Sequence, residues 1–352
     1  MRKRLPAGLL LTAALLAHAS ENYDLRYAPG IGGADMSAPF EGGWVIQAPA
    51  YRYHGTIDHQ ARQIQDLSSR GLPAGVNADI RSDSRITIDV AGVLGRVSYM
   101  SNHKVLGAQL GVTALLPVLS KKTAVKVLGV NSSINAPGLD SLNQAIRAGA
   151  TVSANRIAAA NSNSRFGLGD LEIAPMLRWA SDNSQWLLVP AIILPTGSYD
   201  ADKAANPGSG KFYTFRPLVQ YSYIGEGWDL GIRGSLAINS ENKDTHFRTG
   251  NYLNADFALM KSVSDAWRLG VAGYLVAQTT ADSRSQTSTD EALLARQALT
   301  LGSKGHVYGL GLQFAYLQGG GDYLIDGRIV REFGAEDRPQ GTTVLLNASL
   351  PF

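Results

Sequence analysis

The residues able to do acid–base or nucleophilic chemistry are few, and their spacing is loose. The chain has six histidines and no cysteine, so thiolate catalysis, disulfides and cysteine-ligated metals are excluded. His246 is the best candidate for a catalytic base. It lies in the stretch 241–249 beside Ser240 and Glu241, the residue types with which an imidazole activates a hydroxyl while a carboxylate orients the ring. No Gly-x-Ser-x-Gly elbow accompanies it. His54, Asp58 and His59 carry ligand atoms, but no His-Glu-x-x-His spacing exists. An outer-membrane enzyme acting on lipid or ester, centred on His246, is therefore a secondary expectation. The primary expectation assigns no catalytic residue, cofactor or metal.

A larger ionisable set recurs inside strand-like runs. Its acids are Asp89, Glu172, Asp229, Asp256, Asp326 and Glu332; its bases are Arg85, Arg178, Arg216, Arg233, Arg268 and Arg328. Each alternates with apolar neighbours at period two, the signature of a strand with one apolar and one polar face. In 227–240, Trp228, Leu230, Ile232, Leu236 and Ile238 oppose Asp229, Arg233 and Asn239. In 84–100, Ile86, Ile88, Val90 and Leu94 oppose Arg85 and Asp89. If the apolar faces meet lipid, all twelve charges line a lumen. The two signs balance, so they should pair with one another rather than leave a buried charge alone. An ion-selective pore would carry an excess of one sign. A filled or constricted interior is expected.

The elements that position these residues are twelve runs: 43–54, 84–100, 104–118, 169–181, 184–195, 211–224, 227–240, 250–263, 265–280, 303–318, 321–334 and 341–352. No helical crossover interrupts them, which disfavours a parallel α/β sheet. Their connections alternate in length. Ser101–His103, Asp182-Asn183, Gly225-Glu226, Ser264 and Gly319-Gly320 are short; 55–83, 119–168, 196–210, 241–249, 281–302 and 335–340 are longer. Short periplasmic turns opposite long external loops are the pattern of a closed antiparallel transmembrane β-barrel. All five tryptophans, Trp44, Trp179, Trp186, Trp228 and Trp267, fall at the short-turn ends, as an interfacial aromatic girdle requires. The opposite girdle would hold Tyr51, Tyr53, Tyr213, Phe215 and Phe333. Within 119–168, Leu139, Leu142, Ile146 and Ala150 recur at helical spacing, with Asp140 at the start. That long connection could fold inward or stand in solvent.

Composition agrees. Only 17% of the 352 residues are charged, without a long apolar run, which argues against disorder and against membrane helices. Residues 1–19 read as a signal peptide: Arg2-Lys3-Arg4, an apolar core Leu9–Leu16, and Ala17-His18-Ala19. The formal charge of +3 resides in that basic head, so the remainder offers nothing to nucleic acid. Residues 20–42, with Tyr27-Ala28-Pro29-Gly30-Ile31-Gly32-Gly33, read as turn chemistry at the periplasmic mouth. Residues 43–352 would be the barrel, with 55–83 and 119–168 as its long external loops.

Between residues 167 and 282 the sequence resembles the family of the MetA pathway of phenol degradation, relatives of which are outer-membrane barrels. Gly167-Leu168-Gly169-Asp170-Leu171, Pro195-Thr196-Gly197-Ser198-Tyr199-Asp200 with Asn206 and Gly208, Glu241-Asn242, Thr249-Gly250 and Gln278-Thr279-Thr280-Ala281-Asp282 carry the likeness. Phe247 departs from it, standing where a tyrosine would precede the Thr-Gly pair. The motif positions Gly169, Asp170, Pro195, Thr196, Gly197, Tyr199, Asp200, Asn242, Thr249, Gly250, Thr280 and Asp282 all map to external strand ends. Pro-Thr-Gly and Thr-Gly also make good turns, so turn-making competes with ligand contact there. The resemblance implies passage of small hydrophobic or aromatic compounds across the outer membrane of a Gram-negative bacterium. Implied partners are outer-membrane lipid, hydrophobic cargo, and the barrel-assembly machinery acting on the C-terminal strand that ends in Phe352. A structural or adhesive barrel without transport is the remaining alternative.

Overall fold

Strands with one apolar face can hide their backbone polar groups in lipid only by closing on themselves, and this chain closes. A computed structural model describes residues 23, 25–37, 42–318 and 323–351. In chain order its strands are β1 (Gly43–Gln47), β2 (Ala50–Asp66), β3 (Asn77–Val105), β4 (Ala108–Ile134), β5 (Asn163–Leu168), β6 (Glu172–Ala180), β7 (Ser184–Ile193), β8 (Thr214–Gly225) and β9 (Trp228–Asn239). They continue as β10 (Phe247–Arg248), β11 (Tyr252–Ser262), β12 (Trp267–Gln278), β13 (Ser283–Arg284), β14 (His306–Gln318), β15 (Tyr323–Glu336) and β16 (Gln340–Pro351). Two helices, α1 (Asp140–Ala160) and α2 (Glu291–Ala298), lie among the external connections.

The ring runs β3-β2-β16-β15-β14-β12-β11-β9-β8-β7-β6-β4 and returns to β3, so twelve antiparallel strands form the barrel. β1 extends the line of β2 downward, pairing with β16 and β3; Pro49, which has no N–H to donate, stands at the break. β5 likewise extends β6 upward along β4, broken at Gly169–Leu171.

Side-chain direction follows the alternation. On β16, Val344, Leu346 and Leu350 face out while Thr343, Leu345, Asn347 and Ser349 are buried inside. Trp44, Trp186, Trp228 and Trp267 are exposed on the outer wall at the short-turn ends, and Trp179 joins them beside Trp186. Of the opposite girdle, Tyr213, Phe215 and Phe333 face out, with Tyr308 stacked on Phe333 at 5.9 Å. Tyr51 and Tyr53 instead point inward, because odd positions of β2 face the lumen.

Several boundaries differ from the sequence reading. Residues 55–83 are not a loop: β2 and β3 continue as a paired hairpin beyond the membrane, joined only by 67–76. β4 also rises to Ile134, and α1 returns the chain against this sheet through Ile146, Ala150 and Ala154. The β3–β4 turn is Leu106-Gly107, not Ser101–His103; its φ values of 52° and 79° suit a two-residue hairpin turn of the primed type. Gly319-Gly320 and Phe352 lie outside the described residues, as do 1–19.

Candidate functional site

The site is the lumen, and the chain fills it from within. Residues 25–37, expected at the periplasmic mouth, run through the barrel interior. Their backbone polar groups are met by the inward-facing polar residues of the wall. Arg26 donates to the carbonyls of Phe212 (2.5 Å) and Gly210 (2.9 Å), lies 3.1 Å from Asp170, and stacks 3.8 Å over the Phe212 ring. The Gly30 N–H donates to Asp256 at 3.2 Å. Arg328 donates to the carbonyls of Gly30 (2.7 Å) and Ile31. Asp35 sits between Arg233 (3.5 Å) and Arg328 (3.9 Å). The Met36 carbonyl accepts from Gln220 (2.8 Å) and Ser222 (2.5 Å).

The glycines of this plug are there for close approach. A Cβ on Gly33 would sit 1.3 Å from the Arg328 guanidinium, and one on Gly32 2.9 Å from the Asp256 side chain. Gly231 on the wall makes room for Met36 in the same way, at 2.7 Å.

Ten of the twelve predicted lumen charges face inward. Glu172 pairs with Arg216, Asp229 with Arg268 at 2.5 Å, and Asp326 with Arg328 at 3.0 Å. Asp256 and Arg233 hold the plug. Glu332 accepts from Tyr53 and Tyr274, each at 2.9 Å. Arg178 donates to Gln185 (2.8 Å) and Gln109 (2.7 Å). Arg85 and Asp89 do not line the lumen. They stand on the outer wall, Arg85 bound to Asp58 at 2.6 Å and Asp89 to His54 at 2.7 Å. The cause is height: at this level β3 has left the lipid, so charges face out and Ile86 and Ile88 are buried inside. Sequence reading missed Arg26, Asp35, Arg96, Lys121 and Arg338. A segment rich in Gly and Pro has no period to expose Arg26 and Asp35, but an Arg and an Asp flanking a Gly-rich stretch beside a charge-lined barrel were its available signal.

Beside the plug remains a cavity of about 330 Å³, large enough for a small ligand. Its walls are mostly apolar. Tyr51, Ile88, Leu94, Leu115 and Leu119 form one flank; Met100, Met176, Val189 and Leu218 form the other. Tyr23 and Tyr27 border it, and their buried hydroxyls have no hydrogen-bond partner among the described residues. Behind Met176 and Val189 the wall is weakly tied. Between the pairs Ile173–Ile192 and Leu177–Leu188 the β6–β7 ladder has no partnered residues. Pro175 and Pro190 stand there, and Pro190 opposes Pro217 on β8. Each proline lacks the donor a ladder needs.

Most of the motif residues make hydrogen bonds or close backbone contacts in the connections between strand ends. Asp170 accepts from the N–H groups of Gly197 and Ser209, both at 2.9 Å. Thr196 accepts from Leu171, and Gly197 packs against the Gly208 backbone; Pro195 opens that turn. Asp200 accepts from Asp202. Asn242 donates to the Tyr199 hydroxyl. Thr249 presents its carbonyl to Asn239, Asp282 accepts from Gly250, and Thr280 accepts from Asn251. His246 lies 3.4 Å from Glu241, which also accepts from Ser285 at 3.0 Å. The carboxylate therefore sits between imidazole and hydroxyl, the reverse of the order that activates a nucleophile.

Residues 73–348 match the family model described as "Putative MetA-pathway of phenol degradation". No curated protein matches the sequence. Among solved structures, an outer membrane channel from Pseudomonas putida F1 is similar with a TM-score of 0.58 at 16% identity, over 92% of this chain and 100% of that one. A looser likeness, TM-score 0.38 at 9% identity over 98% and 99% of the two chains, is to the monoaromatic hydrocarbon channel CymD. The first likeness bears on the fold: a closed outer-membrane-type barrel.

Proposed function

The chain belongs to the family of the MetA pathway of phenol degradation, and from that membership and the chemistry of the lumen we propose that it passes small hydrophobic or aromatic compounds across the outer membrane. The observation that carries this reading is the mostly apolar cavity inside a barrel whose charges pair with one another and with a plug. A wet, charge-lined pore would penalise apolar solutes; an apolar chamber does not. The unpartnered hydroxyls of Tyr23 and Tyr27 suit a cargo with one polar substituent.

The route we favour enters from the external side and leaves through the β6–β7 seam, where apolar Met176 and Val189 back onto a ladder without partnered residues. A cysteine pair at Ala174 and Ala191, oxidised across the seam, tests it. In proteoliposomes, flux of toluene should fall several-fold on oxidation and recover on reduction. Unchanged toluene flux would refute the seam as the exit. Equal permeability to toluene and to a sugar of similar size would refute the function itself.

Hydrolysis is not part of this reading, because the His246 cluster has its carboxylate in the orienting group's wrong place. The test is release of fatty acid from phospholipid by the purified protein; turnover abolished by His246→Ala would restore the enzyme reading.

A further inference from the structure

A row of cations crosses the outer wall where the lipid-facing belt ends, and the barrel's ion pairs leave most of it uncompensated. On β3 the outward positions Tyr99, Val97, Val93 and Ala91 give way to Asp89. On β16, Leu350, Leu346 and Val344 give way to Thr342. The backbone register places Arg331, Thr342, His54, Asp89, Lys122 and Ser164 side by side across six strands. Arg52 lies one outward position below, level with Val344 and Ala91. Lys126 lies above, level with Arg85. The positions between them, Tyr53, Lys121, Glu332 and Thr343, face inward, so these side chains face out.

Asp58 and Asp89 are already engaged by Arg85 and His54. Arg52, Lys122, Lys126 and Arg331 have no acidic partner among the described residues; Arg331 donates only to Thr342 at 2.9 Å. The opposite arc of the barrel is built differently: Tyr213, Ile238, Leu253 and Tyr308 occupy its upper border. On the side formed by β15-β16-β2-β3-β4, the surplus stands directly on the belt's edge. Four strand spacings of about 4.8 Å separate Arg331 from Lys122, roughly 19 Å.

We propose that this row is a binding site for the phosphate groups of a bisphosphorylated glycolipid of the outer leaflet. Guanidinium and ammonium groups at the top of an apolar wall meet lipid phosphates while their stems stay on the acyl region. A span of this width serves two phosphates better than one. The proposal rests on the outward register and the barrel's position in the outer membrane, not on the cargo.

The test uses full-length protein purified in detergent, with binding to lipopolysaccharide followed by native mass spectrometry. Arg52→Gln/Lys122→Gln/Lys126→Gln should bind about tenfold or more weakly, while Arg52→Lys/Lys122→Arg/Lys126→Arg binds as the wild type does. The charge-preserving triple is the folding control, as is an unchanged far-ultraviolet dichroism spectrum. Enzymatically dephosphorylated lipopolysaccharide should bind both proteins weakly and alike. Equal binding by the glutamine triple, or equal binding of the dephosphorylated lipid, would overturn the proposal. Displacement by millimolar inorganic phosphate would overturn it too, assigning the row to the free ion; so would phosphatidylglycerol binding as tightly, since one phosphate would then suffice.

Discussion

Asp35 is the residue on which the plug turns. It lies between Arg233 and Arg328 with only 6% of its side chain exposed, and removing one partner of a buried pair costs about 3 kcal/mol because the remaining charge is stranded. Asp35→Asn should therefore speed hydrogen exchange across residues 26–36 by roughly two decades, with the barrel strands unchanged; equal exchange would mean the plug is held by its backbone contacts alone. Arginine side chains donating to plug carbonyls explain why Gly32 and Gly33 are needed: the glycines were legible in the sequence, but as turn formers. Their contact with Asp256 and Arg328 could not be read, because it joins residues more than two hundred positions apart.

At the external hairpin the carboxylates respond to pH. A hydrogen bond from Arg62 beside Asp79, aided by Arg81, holds that carboxyl below its usual value, and Arg85 does the same for Asp58. A carboxyl depressed in the folded state stabilises above its unfolded value, about 3.9, and loses that contribution as pH falls through the folded value. Protease cleavage within 55–85 should thus accelerate as pH drops from 5 to 3, and not between 8 and 6. Both groups are exposed, so the effect is modest.

Among the elements, the strands were readable wherever lipid imposes a single rule. β9, β11, β12 and β16 present their apolar faces outward as their alternation requires. β3 shows the limit. Alternation separates its two faces but inverts their sides: Ile86 and Ile88 are buried inside, while Arg85 and Asp89 stand on the outer wall. Alternation gives a period, and only neighbouring strands give the height at which lipid ends. The helix at Leu139–Ala150 was legible for the same reason as the strands: its apolar face has a partner, here the risen sheet of β3 and β4. Ile146→Ala should cost about 2–5 kcal/mol locally, seen as faster proteolysis of α1 with the barrel's heat resistance unchanged. A fall in the whole barrel's heat resistance would mean that the external sheet and the barrel unfold together.

For the whole molecule, the balance of inward charges predicted a filled interior, and the plug accounts for it: those charges pair with one another and with Arg26 and Asp35. The sequence could not say that the filling came from residues 25–37, because that segment carries no periodicity. What remains open to a solute is the apolar cavity beside it. Planar-bilayer conductance tests this directly. The wild-type protein should show no steady, porin-sized current in molar salt, while a variant lacking residues 25–37 should show a large continuous one. A wild-type channel that stands open with the same conductance as the deletion would contradict the account.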